Sequence, residues 1–293
     1  MKILSRTTLW RTTLWRGILF GRGVVVGVVA ISGTVNPAAA QSEPVSMRMF
    51  SAAQDAGRGA LAADSVQPLA RHERAVQLNE QGVELVFQGN QSGGVAKIKQ
   101  ALAHDPQNTT ILYNLAGLYL AQGAHQEAMA MMGQALAHEP DDAAFLNRFA
   151  EAALLSKDLS AAVTAMERMA VVEPGNAELS LKLGTLYAMQ KRWSEAETTL
   201  ERAREALGDD NRVLMNLANV LVVQEKYEEA LPLLKIAQQQ RPCAETAITL
   251  ALAYEGLGRF REAVGQYREA KRYGEQGAEL DAHIEKLEQA VRQ

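Results

Sequence analysis

The sequence is poor in the residues that most often carry chemistry or covalent staples. It has one cysteine, Cys243, in 293 residues, which excludes an intrachain disulfide framework and any cysteine-rich zinc or iron–sulfur site. Aromatic residues make up only 5%, so a core has to be assembled from Ala, Leu, Val and Met rather than large rings. An Ala-rich chain with few aromatics and only eight prolines packs helix on helix. The apolar run Val24 to Ile31 is far short of the roughly 20 residues that cross a bilayer as a helix. Extended backward, it meets Arg22.

Catalytic patterns are equally scarce. His104 and His138 stand 34 residues apart, each followed by an acid and a proline. They read as helix-end residues near the negative dipole end rather than as a metal pair. The stretch Gly89 to Lys97 superficially suggests a phosphate loop, but Val95 stands where the lysine belongs and a helical pattern precedes it. Cys243 has no histidine near it in sequence and reads as a loop thiol. With no convergent acid–base, nucleophile or metal set, the expectation is a non-enzyme that needs no cofactor.

What is present divides sharply by charge. Residues 1–40 hold Lys2, Arg6, Arg11, Arg16 and Arg22 and no acid, a charge of +5. The remaining 25 bases (30 less these five) face 34 acids, a charge of −9. An acidic body argues against general nucleic-acid binding, which depends on neutralising phosphates. The basic start, the apolar run and the exit Ala38-Ala39-Ala40 together form a secretory signal, with cleavage expected between Ala40 and Gln41. The alternative is an uncleaved anchor formed by residues 17–31; on both readings the body is exported to the periplasm or beyond. Residues 41–74 contain Pro44, Pro68, Gly57 and Gly59 without a sustained apolar period and read as a flexible linker, with room for a short helix from Met47 to Leu61.

A period of 34 dominates the rest. Pro106, Pro140 and Pro174 are 34 residues apart, and the same step reaches Gly208 and Pro242. Ala128, Ala162, Ala196 and Ala230 form another column, and Leu78, Leu112 and Leu146 a third. A fixed period of this length means stacked supersecondary units. Within one period, Leu112, Leu115, Ala116, Tyr119 and Leu120 recur at helical spacing. Gly123 breaks that helix, and Ala128, Met131, Met132, Ala135 and Leu136 resume the pattern. The repeats run 75–108, 109–142, 143–176, 177–210, 211–243 and 244–277, followed by an amphipathic segment 279–293 that reads as a capping helix. Gly93-Gly94 marks the first repeat as the weakest, since glycine costs about 1 kcal/mol of helix propensity. Pro232, near the start of a second helix, predicts a mild kink.

These columns resemble the tetratricopeptide repeat (TPR) family. Its small residue in the first helix matches Gly82, Ala116, Ala150, Gly184 and Ala218, its aromatic three places later matches Tyr119 and Tyr187, and its helix-ending proline matches the series above. The resemblance covers about two-thirds of the chain. It implies an all-α fold, a right-handed α-solenoid of about six helix-turn-helix repeats with a C-terminal capping helix. It also implies a groove lined by first helices that takes a protein or peptide ligand. The groove column after the fifth repeat position reads Asn114, Arg148, Lys182 and Asn216; neighbouring columns add Tyr113, Asn147, Glu151, Thr185, Arg212 and Asn219. Members that clamp a carboxylate carry lysine at the fifth position and asparagine at the ninth. Asn219 matches the ninth, but Met215 replaces the lysine. Read as exposed groove residues, Arg148 and Lys182 predict a ligand with one or two acidic side chains. The functional expectation is a protein-interaction scaffold of the bacterial cell envelope. The competing expectation is a membrane-tethered subunit of an envelope secretion or assembly machine with a mainly structural role.

Overall fold

The computed structural model describes residues 63–292. The expected signal, the first part of the linker up to residue 62, and the short helix over Met47 to Leu61 lie outside the described residues. Among the described residues there are thirteen α-helices and no strand. The fold is an all-α repeat solenoid: six helix pairs followed by a single helix. The first helices of the pairs are α1 (Ala63–Phe87), α3 (Thr109–Ala121), α5 (Ala143–Leu155), α7 (Ala177–Met189), α9 (Asn211–Val223) and α11 (Ala244–Gly256). The second helices are α2 (Gln91–His104), α4 (His125–His138), α6 (Leu159–Val172), α8 (Trp193–Leu207), α10 (Tyr227–Gln240) and α12 (Phe260–Arg272), and α13 (Ala278–Arg292) closes the series. No described helix is long and apolar enough to cross a membrane.

One expectation is corrected at the start. Residues 63–74, expected to belong to the linker, are helical, because α1 begins at Ala63 and runs through Pro68. Pro68 is the sixth residue of α1, past the four amides that a helix start leaves open, so its missing N–H removes one bond from the early turns without ending the helix. His72 Nδ1 lies 2.7 Å from Asp105 Oδ2 and ties this early part of α1 to the residue that ends α2.

The chain divides into two compact units, one ending at Pro174 and the other beginning at Gly175. In the first, each helix of α1–α6 packs on its neighbour in sequence, and the first helices α1, α3 and α5 also touch one another in order. The second repeats this logic with α7–α13, where α7, α9 and α11 are the contacting first helices. First helices therefore form an inner layer and second helices an outer one. Alanines at the periodic columns, among them Ala116, Ala128, Ala196 and Ala230, are fully buried and let helix axes approach while Leu, Ile and Met fill the gaps.

Every hairpin uses the same turn. The residue in the left-handed region is Gly89, Gly123, Lys157, Lys191, Glu225 or Gly258, with φ between 61° and 85°. The next amide reaches back to the first helix, as in Ala124 N to Tyr119 O at 2.8 Å and Arg192 N to Tyr187 O at 2.9 Å. This Schellman closure satisfies carbonyls that a helix end leaves open. First helices are opened by a matching column. Asn108, Asp142, Asn176 and Asp210 each accept amides of the first turn through the side chain, for example Phe145 N to Asp142 Oδ1 at 2.9 Å.

The Gly93-Gly94 weakness also needs correcting. A Cβ on Gly94 would stand 2.7 Å from the Gly82 carbonyl and 2.3 Å from Val86 Cγ2. Glycine here permits backbone contact between α1 and α2, so its propensity cost is offset by closer packing. Pro232 lies inside α10, which continues unbroken to Gln240. At the C-terminal end, α13 buries Leu280, Ile284 and Leu287 against the last repeat, with His283 among them. His283 Nε2 lies 2.9 Å from Glu255 Oε2, and the Tyr267 hydroxyl donates to the same oxygen at 3.1 Å.

Candidate functional site

The inner layer takes its chemistry from the first-helix positions that face away from the outer helices. Core positions such as Leu112, Leu115, Leu214 and Leu217 are buried. The fifth, sixth and ninth repeat positions lie on the remaining face by helical spacing. Arg148 belongs to the first unit and Lys182 to the second.

In the first unit, Arg148 is not the exposed groove cation that the sequence suggested. It lies half-buried along the preceding first helix. Its Nη1 donates to the Tyr113 carbonyl at 2.9 Å, and its Cζ sits 3.5 Å from the Tyr113 ring centroid. Gly117 supplies the room, since a Cβ there would fall 2.9 Å from Nη1. Burial pushes the guanidinium below its usual pKa, against the opposing pull of Tyr113 and Glu151. Arg148 is thus a clasp between α3 and α5, joined by the Tyr113–Phe145 ring contact at 5.7 Å. Asn114 donates through Nδ2 to Oδ1 of buried Asn79 at 3.2 Å. Asn147 and Glu151 are exposed on α5.

In the second unit, Arg212 is likewise engaged. It grips Glu178 through two nitrogens at 2.7 and 3.1 Å and Asp210 at 3.0 Å. The Asp210 and Glu178 carboxylates raise its pKa above the ordinary arginine value despite some burial. Thr185 donates to the Leu181 carbonyl within its own helix at 2.8 Å. Asn219 Oδ1 accepts from Thr249 at 3.2 Å. Met215, which displaces the clamp lysine, accepts from Thr246 at 3.4 Å, and Cys243 Sγ lies 3.1 Å from the same hydroxyl. Lys182 and Asn216 have no hydrogen-bond or ionic partner among the described residues. Among these residues no group of three His, Cys, Asp or Glu is placed to hold a metal.

One contrast was missed in the sequence although the column carried it. The fifth position reads Asn79, Tyr113, Asn147 in the first unit and Leu181, Met215, Ile248 in the second. Of these, Tyr113 and Asn147 in the first unit and Met215 in the second stay accessible, whereas Asn79, Leu181 and Ile248 are buried.

Residues 88–147, 119–170 and 153–220 match one tetratricopeptide repeat profile, and residues 215–281 match another. The chain belongs to the tetratricopeptide repeat family. As a member it is built as a protein-interaction scaffold. Solved structures carry the same fold. A tetratricopeptide repeat protein from Parabacteroides merdae is 19% identical with a TM-score of 0.55, over 75% of this chain and 88% of its own. YrrB, described as a TPR protein with an unusual peptide-binding site, is 18% identical with a TM-score of 0.56, over 64% of this chain and 97% of its own. PilF of Pseudomonas aeruginosa is 17% identical with a TM-score of 0.51, over 74% and 99%. No curated protein matches the sequence. These likenesses concern the TPR fold; the site residues differ from a carboxylate clamp at Met215.

Proposed function

We propose that this chain is a non-enzymatic TPR module of the bacterial cell envelope that holds a peptide segment of a partner protein on its inner face. The observation that carries this reading is the pair Lys182 and Asn216. They stand one repeat apart in the same column, without partners, while Arg148, Arg212, Asn114 and Asn219 are already engaged. A free ammonium beside a free amide can take a ligand carboxylate and an adjacent backbone group, and part-buried Met215 offers apolar contact next to them. The likeness to YrrB, whose description names a peptide-binding site, supports a peptide as ligand class. Export is supported by the basic start, the apolar run and the Ala38-Ala39-Ala40 exit.

Replacing Lys182 and Asn216 together with alanine reduces capture of the partner from an envelope extract at least tenfold while the melting temperature stays within a degree or two. Undiminished capture by a folded double variant places the ligand elsewhere. The second reading, a membrane-tethered subunit of an envelope secretion or assembly machine, is favoured by the length of the basic region, Met1 to Gly23. Terminal sequencing separates the two: Gln41 for the released form, Met1 in the membrane fraction for the tethered one.

A further inference from the structure

The outer layer of the first unit holds a cleft of about 610 Å³ between α4 and α6, floored by Leu136, Leu146 and Phe149 of α4 and α5. That volume lies within the range of ordinary binding clefts. The cleft is open because two residues break their columns. Gly133 occupies the position that holds Lys99, Glu167, Glu201 and Lys235 in other repeats. Ala161 occupies the position of Glu127, Glu195, Glu229 and, across the shortened junction, Glu262, with Gly93 the other small residue in that column. The nearest atom to a Cβ on Gly133 is Phe149 Cε2 at 4.0 Å, so no side chain at that position fills the space beside the ring. The apolar strip continues one turn beyond Arg168, where Val172 is followed in its column by Ala206 and Gln240 and preceded by His104 and His138; Val171 beside it is 81% exposed.

The surroundings are acidic. From residue 125 to 174 there are eight acids, among them Glu139, Asp141 and Asp158, against Arg148, Lys157 and Arg168. Arg148 is turned onto α3 in the inner layer. Arg168 donates to the Pro140 carbonyl and lies 3.5 Å from Asp141, so it offers little free positive charge. Asp158 remains on the cleft rim. From Ser160 to Val172 the strip runs about 18 Å, at 1.5 Å per residue, long enough for three turns of a bound helix.

We propose that this outer cleft docks an amphipathic helix of a partner protein, one whose apolar ridge is flanked by lysine or arginine. Small residues on both walls let a helix approach closely, the aromatic floor takes ridge side chains at i, i+3/i+4 and i+7, and the negative charge of the segment around the cleft selects cationic flanks. The site goes beyond the inner-face reading and does not depend on it.

The test uses the full chain and an 18-residue acetylated, amidated peptide of leucine and lysine with leucines at helical spacing, beside a matched leucine–glutamate peptide. The comparison protein is the double variant Gly133→Lys with Ala161→Glu, which installs the residues of the other repeats, leaves net charge unchanged and improves helix propensity, so it melts at or above the wild type. Fluorescence anisotropy shows the lysine peptide bound by the wild type and at least tenfold more weakly by the filled variant, and the glutamate peptide at least tenfold more weakly by the wild type. Equal binding of the lysine peptide by both proteins, or equal binding of both peptides, overturns the proposal. A concentration-dependent wild-type dimer that the filled variant lacks assigns the cleft to a second copy and also overturns it. Lys182→Ala with Asn216→Ala keeps peptide binding here, so failure of the inner-face reading registers separately.

Discussion

Arg148 shows why a residue's column does not fix its role. Four of the groove candidates stand in the same repeat position, yet the arginine is drawn onto Tyr113 because Gly117 leaves a space and the ring offers a face. Sequence spacing gave the face of the helix; the stacking depended on a glycine one repeat away that spacing alone does not weigh. Replacing Arg148 with alanine therefore costs about 1–2 kcal/mol, the sum of a partly desolvated cation–π contact and a hydrogen bond. Lysine recovers only part of it, lacking the planar fork. Lys182→Ala stays within about 0.5 kcal/mol. Urea denaturation of the three variants checks this; a neutral Arg148→Ala would show that the clasp carries no stability. Asp105 adds a pH signature. Burial raises its pKa, but bonds from Asn108 and His72, the His72 charge and the Gln107 amide outweigh it, leaving the carboxyl below its ordinary value. A depressed folded pKa contributes stability that is present above the unfolded value, about 3.9, and is lost as pH falls through the folded one. The stability difference between wild type and Asp105→Asn, followed in urea from pH 6 to pH 3, is thus largest near neutrality and narrows toward the acid end. A difference that widens on acidification contradicts the sign.

At the scale of the helix, the period of 34 made the pairs legible because each column repeats a physical demand: alanine for close approach, leucine for filling, proline or glycine for stopping. Two demands were harder to read. The first-helix caps Asn108, Asp142, Asn176 and Asp210 also form a strict column, but polar residues before a helix look like any loop until their side chains are seen accepting amides. The hairpin column needs a left-handed residue at each turn, yet three copies use Lys157, Lys191 and Glu225, so glycine spacing revealed only part of it. A side chain in that region costs about 1–2 kcal/mol. Glycine at any of the three raises stability by about 0.5–1 kcal/mol, net of its greater freedom in the unfolded chain. Thermal melts of Lys157→Gly, Lys191→Gly and Glu225→Gly measure it; a lowered midpoint in all three would mean the long side chains contribute contacts that outweigh the strain. The start of α1 was hard to read because residues 41–74, with Pro68 among them, lack an apolar period, whereas the helix runs through that proline at the loss of one bond.

At the scale of the molecule, repetition suggested one uninterrupted array, while the structure divides after Pro174 into two units with their own buried cores. The columns continue through the division, so nothing in their spacing marks it. Fragments 63–174 and 175–293 are each expected to give a helical circular dichroism spectrum and a cooperative melt. A fragment that loses its helicity when separated would show that its core is not self-sufficient. The C-terminal end of the second unit carries a different kind of information. A stack of like repeats has no intrinsic length, and a bare last pair would accept another copy as readily as its own closing helix. Buried polar pairs in an apolar seam select one arrangement over others more than they add net stability. Glu255, held by Tyr267 on its own repeat and by His283 on α13, favours a closing helix that presents an imidazole at that depth. A closing helix without it, as in His283→Ala, takes one partner from a buried carboxylate and is destabilising. That pairing is a keyed latch: it fixes the closing helix to the last repeat at one depth.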